Sequence, residues 1–135
     1  MFKSIYIVMC KKCDENPKAH SFERIAKENA KYVFYSCPGD AEDYWDEDGI
    51  ITHMREEIDK INMGEWIYIF DGKGFELKHA LEISLAKSII ALLQEHPENL
   101  KEIRLINTSS YVNIMMNLIR PIIPEKIYKK IIWKS

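Results

Sequence analysis

Residues 65–74, EWIYIFDGKG, determine the fold class that the sequence predicts. Glu65–Phe70 is almost wholly apolar, which is the pattern of a central strand covered on both faces. Asp71–Gly74 contains two glycines and is typical of a tight turn at the end of a strand. A buried strand of this kind, followed by a helical pattern, predicts an α/β layered domain.

The residues before this strand predict one amphipathic helix and leave a second region open. Apolar residues recur at helical spacing over Ile51–Ile61, with charged residues between them, which predicts the amphipathic helix. Phe2–Met9 is rich in β-branched and aromatic residues and predicts a strand. Another helix is expected to begin at Ser21, and Tyr32–Tyr35 fits either the end of that helix or a separate strand.

Helices and strands are predicted to alternate after the turn. We expect a long helix at Phe75–Gln94, a strand at Ile103–Asn107, a helix at Tyr111–Ile119, a short helix at Glu125–Lys130 and a last strand at Ile131–Trp133. Residues 1–135 are therefore predicted to form a single α/β domain. Its central sheet is expected to be mostly parallel, with about four to five strands flanked by helices.

The composition excludes several classes of protein. The chain has 135 residues, of which 47% are hydrophobic and 30% are charged, and this balance excludes a disordered or low-complexity protein. A net charge of −2 and a pI near 6.1 argue against nucleic acid as a partner. Three cysteines, without a secretory pattern before them, favour a cytoplasmic location.

The charged residues are unevenly distributed along the chain. Acidic residues concentrate in Asp40–Asp48, whereas basic residues gather after Arg120. A small positive patch on a mildly acidic protein suits one anionic ligand group better than a nucleic-acid track.

Cys10–Cys13, CKKC, is the most conspicuous chemical motif. Two thiols at this spacing can form a redox pair, and His20 with Cys37 would complete a set of four zinc ligands. The residues after Cys13 are a poor start for the helix that a redox site needs. Two ordinary loop cysteines are therefore the favoured interpretation, and no metal is expected.

No catalytic motif is recognisable in the sequence. Asp71–Gly74 matches the DxxG of nucleotide switches, but no phosphate-binding GxxxxGK precedes it. The four histidines form no HExxH, and no serine or cysteine lies in a nucleophile elbow. We expect a protein that is not an enzyme and that uses no cofactor.

The predicted helix Tyr111–Ile119 is uncharged and contains two adjacent methionines, Met115 and Met116. Methionine side chains make an adaptable apolar surface. This helix fits two interpretations, core packing or the lining of a site for an apolar ligand.

Five short motifs follow one another in the second half of the chain. They are WIYIFDGKGF (66–75), HPENLK (96–101), IRLIN (103–107), IRPII (119–123) and Lys130-Ile131. In order and spacing they are similar to the D-x-K-G strand, Y-P-E-R-L-K, I-x-I-I-N, K-P-F-L and K-I motifs of the CRAL-TRIO family. Members of that family carry phosphoinositides, tocopherol, retinaldehyde and similar ligands.

The resemblance implies non-enzymatic binding of a lipid or small hydrophobic ligand, such as a phosphoinositide, and transient contact with a membrane surface. It aligns Glu98 and Lys130 with the headgroup residues of phosphoinositide-carrying members, and helix 111–119 with the lid of the ligand site. A lysine facing phosphate and a carboxylate facing inositol hydroxyls suit that role. The implied ligand-binding residues are Glu98, Lys130, Tyr111, Val112, Met115, Met116 and Ile119.

Two departures from the family pattern lead to an alternative function. Asn107-Thr108-Ser109 lacks the proline of the usual N-x-P, and Ile127 replaces the hydroxyl three residues before the headgroup lysine. The short form resembles the divergent BCH-type branch of the family. That resemblance implies a protein-interaction scaffold without a functional lipid pocket, which binds another protein or a second copy of itself.

Overall fold

A five-stranded sheet forms the centre of the fold in the computed structural model, which describes residues 20–42 and 45–134. The strands lie in the sheet in chain order: β1 (Glu23–Glu28), β2 (Lys31–Ser36), β3 (Trp66–Asp71), β4 (Leu100–Ile106) and β5 (Ile131–Trp133). β1 is antiparallel to β2, whereas β2 to β5 are parallel. The predicted α/β fold with a mostly parallel sheet is confirmed.

The helices of the described ranges connect and cover the strands. They are α1 (Glu47–Asp59), α2 (Leu77–Ala80), α3 (Ile83–Leu93), α4 (Ser110–Ile119) and α5 (Glu125–Tyr128), with short 3₁₀ turns at Pro38–Asp40 and Arg120–Ile122. The apolar residues of α1, α3 and α4 belong to one core with the side chains of β3. None of these helices is long and apolar enough to cross a membrane.

The amphipathic helix and the apolar strand occur where the sequence predicts them. α1 buries Ile50 and Met54 on its apolar face. In β3, Trp66, Ile67 and Tyr68 are all buried, because β3 lies between β2 and β4 and is covered on both faces.

The helix predicted to begin at Ser21 is wrong, because this segment forms strand β1. Asn29 and Ala30 have φ angles of 50° and 68°, and this left-handed pair closes a tight hairpin turn between β1 and β2. All residues of β1 are exposed, so the helical spacing of its apolar residues reflects no buried face. The open region 32–35 is part of strand β2. The strand predicted at Phe2–Met9 lies outside the described residues.

The single long helix predicted at Phe75–Gln94 is also wrong, because it is divided into α2 and α3. The chain leaves helical geometry at Glu82, where ψ is 72°. Leu77 and Leu81 in and after α2 are exposed, whereas Leu85 in α3 is buried. The two segments therefore turn different faces to the core.

Candidate functional site

An apolar cavity of about 90 Å³ lies between the sheet and helices α3 and α4. It is lined from the strands by Tyr68, Phe70, Ile103, Leu105 and Ile131, from α3 by Ala86, Ile89, Ile90 and Leu93, from α4 by Met115, Met116 and Ile119, and beyond α4 by Ile123 and Ile127. The Tyr68 hydroxyl is the one oxygen or nitrogen among these side chains. Burial raises the pKa of Tyr68 to about 12, so its hydroxyl is neutral at physiological pH.

Strand alternation and one small residue create this cavity. Tyr68 and Phe70 are two residues apart in β3, as are Ile103 and Leu105 in β4, so all four side chains point to the same face of the sheet. Ala86 faces them from α3 and fills little of the space between helix and sheet. The volume of this cavity is well below the roughly 300–1,000 Å³ that is typical of a small-molecule pocket. A lipid chain would therefore fit only if α4 moved outward.

The structure brings three of the predicted α4 residues to the cavity, namely Met115, Met116 and Ile119. Val112 is completely buried but lies nearer the start of the helix, against Gly72. Tyr111 is exposed on the outer face of α4. The sequence prediction missed the cavity residues of α3 and of the strands. Four of them, Tyr68 and Phe70 in β3 and Ile103 and Leu105 in β4, could have been found from the alternation of side chains along a strand.

Lys130 and Glu98 lie at the other predicted site, where β4 and β5 begin. The ammonium group of Lys130 donates a hydrogen bond to the Pro97 carbonyl oxygen, and Glu98 is exposed beside it. Burial lowers the pKa of Lys130, and the positive charges of Lys101 and Lys129 lower it further. Several lysines thus share one small region.

This basic region lies next to the apolar cavity. The Ile103 N–H donates a hydrogen bond of 2.9 Å to the Lys130 carbonyl oxygen. Ile103, Ile127 and Ile131 all line the cavity, and they are the immediate structural neighbours of Lys130. Ile127, which stands where the family pattern has a hydroxyl, is buried in the apolar lining.

A buried carboxylate connects three strands at the opposite end of the sheet. Asp71 is 5% exposed at the end of β3. It accepts hydrogen bonds from the Tyr35 hydroxyl of β2, from Asn107 Nδ2 just after β4 at 2.9 Å, and from the Lys73 N–H at 3.0 Å. Burial alone would raise the pKa of Asp71, but the hydrogen bonds from Tyr35 and Asn107 outweigh it and the pKa lies below its ordinary value.

The turn after Asp71 packs tightly against the start of α4. A Cβ atom on Gly72 would lie 2.7 Å from the Asn107 carbonyl oxygen and 2.9 Å from Val112 Cγ2, so only glycine allows this approach. The Gly72 N–H also donates to the Ile106 carbonyl oxygen at 2.8 Å. The amino-terminal end of α4 is therefore held to β3, whereas its far end leads into the proline-containing 3₁₀ turn.

Of the four residues in the redox and zinc hypotheses, the structure describes His20 and Cys37. Cys10 and Cys13 lie outside the described residues. Cys37 is buried, its thiol lies 3.3 Å from the Lys73 carbonyl oxygen, and burial raises its pKa, which makes it a poor nucleophile. Within residues 20–42 and 45–134, no group of three or more histidine, cysteine or acidic side chains is arranged to hold a metal ion.

Comparison with known proteins places this arrangement in a family. The family model of the CRAL/TRIO domain matches residues 48–134, which is more than half of the chain. The chain belongs to the CRAL/TRIO family. CRAL/TRIO proteins are generally lipid-binding transfer proteins and not enzymes. The match extends from α1 to the end of β5 and includes both the cavity and the lysine-rich region.

The CRAL/TRIO fold of this chain also resembles a solved structure, the crystal structure of Sfh5. The TM-score is 0.69 at 16% sequence identity, and the match covers 89% of this chain and 50% of the Sfh5 chain. At this identity the likeness concerns the fold alone, and the chain spans half the length of the Sfh5 chain. No curated protein sequence matches this CRAL/TRIO chain significantly.

Proposed function

We propose that this CRAL/TRIO domain binds a lipid or a similar hydrophobic ligand in the cavity between α3 and α4, without changing it chemically. The observation that carries the proposal is the almost wholly apolar lining. Burial of hydrocarbon against such a lining contributes about 25 cal/mol per Å². A chain of lipid size would therefore be held without any specific polar contact.

In this proposal, α4 is the gate of the cavity. Its amino-terminal end is held by the contact of Gly72 with Val112, and its other end is followed by Pro121 and Pro124, which cannot extend the helix. The inner face contributes Met115 and Met116, whose flexible side chains repack easily. Outward rotation about the held end would enlarge the cavity.

The lysine-rich region beside the cavity suits an anionic headgroup. We assign Lys130 to the headgroup phosphate, because its ammonium group donates to a backbone carbonyl oxygen whose place a phosphate oxygen could take. Lys101, Lys126 and Lys129 add positive charge around it. Glu98 is assigned to the hydroxyl groups of a headgroup such as inositol. Glu98→Gln should therefore weaken the binding of inositol lipids more than the binding of choline lipids.

Filling the cavity provides the direct test of this function. Ala86→Leu adds three carbon atoms to a partly buried position in the lining and should weaken binding of nitrobenzoxadiazole-labelled phosphatidylcholine at least about tenfold, because the acyl chain loses its space. Fluorescence titration measures the affinity. Ala91→Leu, at an exposed position of the same helix, is the matched control and should bind as the parent does. Unchanged binding by Ala86→Leu would show that the lipid lies elsewhere.

Lys130→Ala tests the headgroup assignment. We expect this variant to bind phosphatidylinositol about tenfold more weakly, because a charge-assisted hydrogen bond is lost, and to bind phosphatidylcholine with little change. Its affinity for phosphatidylinositol should also depend less on salt concentration. Lys134→Ala removes an exposed lysine after β5 and serves as the control. Equal affinity of Lys130→Ala and the parent for phosphatidylinositol would remove Lys130 from the site.

A protein-interaction scaffold is the second candidate function, and a separate observation favours it. The outward side chains of α4, Tyr111, Ile114 and Leu118, are large, apolar and exposed. A lipid in the cavity would touch the buried face of this helix and not these residues. The outer face therefore requires an explanation of its own.

A further inference from the structure

Helix α4 exposes a row of large apolar side chains beside its buried face. Tyr111, Ile114, Leu118 and Ile122 follow one another at spacings of three and four residues along α4 and the 3₁₀ turn after it, and they are 37–48% exposed. The inner face consists of Val112, Met115, Met116 and Ile119, which are all buried. Asn113 and Asn117 are exposed on the remaining face, so the exposed apolar residues form a single row that is suited to a partner.

The neighbouring helix exposes two further leucines. Helix α2 packs against α4, and Leu77 and Leu81 are 45% and 57% exposed. We call the surface formed by Tyr111, Ile114, Leu118, Ile122, Leu77 and Leu81 the outer α4 patch. Six large side chains exposed to this extent amount to roughly 500 Å² of apolar surface, which is in the range of the largest, usually functional, patches on monomers.

We infer that the outer α4 patch pairs with the same patch on a second copy of this chain, in an antiparallel contact with two-fold symmetry. Apolar residues at spacings of three and four along an exposed face form the narrow seam through which helices pair with one another. Two patches would bury roughly 1,000 Å² in total, near the lower limit of a specific interface. The dimer is therefore reversible and depends on concentration.

The charges around the patch are compatible with a symmetric contact. Residues 105–119 contain no charged side chain, so two α4 helices can approach without repulsion. At the rim, Glu76 pairs with Lys78 at 3.6 Å and Arg120 pairs with Glu125 at 3.8 Å. In an antiparallel pair the helix dipoles also oppose one another favourably, because each amino-terminal end meets a carboxyl-terminal end.

The same rim argues for a second copy rather than a membrane. An anionic membrane surface attracts a rim made of basic residues. Here the carboxylates of Glu76 and Glu125 are paired with Lys78 and Arg120, so the rim carries charges of both signs. A surface with charges of both signs matches another copy of itself better than it matches a uniformly negative surface.

Pairing through this patch would also cover the helix that we propose as the gate. This consequence rests on the proposed function, whereas the dimer itself does not. If the gate must swing outward to admit a lipid, the paired form holds it closed. Exchange of labelled phosphatidylcholine is therefore expected to slow as the protein concentration rises.

Sedimentation velocity of the full chain tests the inference. Over about 1–200 μM the parent should pass from monomer to dimer, as expected for an interface of this size. Leu118→Glu and Ile114→Lys should each remain monomeric, with at least tenfold weaker association, because each places charges in the apolar seam. In the antiparallel arrangement residue 118 faces residue 114 of the other copy. An equimolar mixture of the two variants should therefore restore the dimer.

A control variant on β1 and three contrary outcomes complete the test. Ile25→Glu changes an exposed apolar residue on β1 and should dimerise as the parent does. A parent that is monomeric over the whole concentration range overturns the inference, as does a mixture that stays monomeric. If the monomeric parent floats with phosphatidylcholine–phosphatidylserine vesicles and Leu118→Glu does not, the outer α4 patch docks on membranes instead. A dimer that persists without lipid binding would refute the proposed function and leave this inference intact.

Discussion

Met116→Asp is expected to abolish lipid binding and to lower the free energy of unfolding by about 3 kcal/mol or more. Met116 is 8% exposed and lines the cavity, whose lining side chains include no cation and no hydrogen-bond donor other than the Tyr68 hydroxyl. Burial raises the pKa of an isolated carboxyl group, so the loss of stability should shrink as the pH falls. Chemical unfolding and titration with labelled phosphatidylcholine measure the two effects.

Two control variants separate the effect of the charge from the effect of its position. Asn117→Asp introduces the same charge at the next position of α4, which is exposed, and should change neither stability nor lipid binding greatly. Met116→Leu keeps the position apolar and should retain binding. A folded Met116→Asp protein that still binds lipid like the parent would contradict the proposed gate and cavity.

Asp71→Asn should lower the free energy of unfolding by about 2–3 kcal/mol, because a buried charged acceptor is replaced by a group that cannot satisfy the same donors. The donors are the Tyr35 hydroxyl in β2, the Asn107 side chain just after β4 and the Lys73 N–H in the turn after β3. The substitution should also loosen the attachment of α4. Hydrogen exchange at the start of α4 should therefore become faster in the variant.

The pH dependence of stability gives a second readout for Asp71. Its pKa is lower in the folded protein than in the unfolded chain, so its contribution is present above the unfolded pKa of about 3.9 and is lost as the pH falls through the folded pKa. The difference in stability between parent and Asp71→Asn should accordingly narrow below about pH 4. Asp59→Asn makes the same change at an exposed position at the end of α1 and serves as the control, with a free energy of unfolding close to that of the parent. A constant difference down to the lowest pH would show that Asp71 is not the charged acceptor described here.

The elements with strong local patterns could be predicted from the sequence. β3 is a continuous apolar run and α1 has a regular apolar face, so each has one way to bury its side chains. The hairpin of β1 and β2 was missed because its turn is Asn29-Ala30, without the glycine that usually marks such turns. The break at Glu82 was missed because no proline or glycine interrupts the helical spacing there.

The candidate site could be predicted only where it follows one helix. Met115, Met116 and Ile119 share a face of α4, which periodicity reveals. Their partner Ala86 is an ordinary small residue in the sequence, and its role depends on which helix lies opposite. The role of Asp71 is equally hard to predict from the sequence. Its partners Tyr35 and Asn107 lie next to it because β2, β3 and β4 are adjacent in the sheet.

The strand order also bears on how the domain can be completed during synthesis. Because β2 to β5 lie side by side in chain order, each strand has its neighbour in the sheet among the residues that were translated before it. The inner wall formed by Tyr68 and Phe70 emerges from the ribosome well before α4 and β5. A nascent chain therefore presents half of an apolar chamber to the surrounding cell until its second half is made. If the domain binds a lipid as proposed, this half offers the ligand an apolar wall before the last strand joins the sheet.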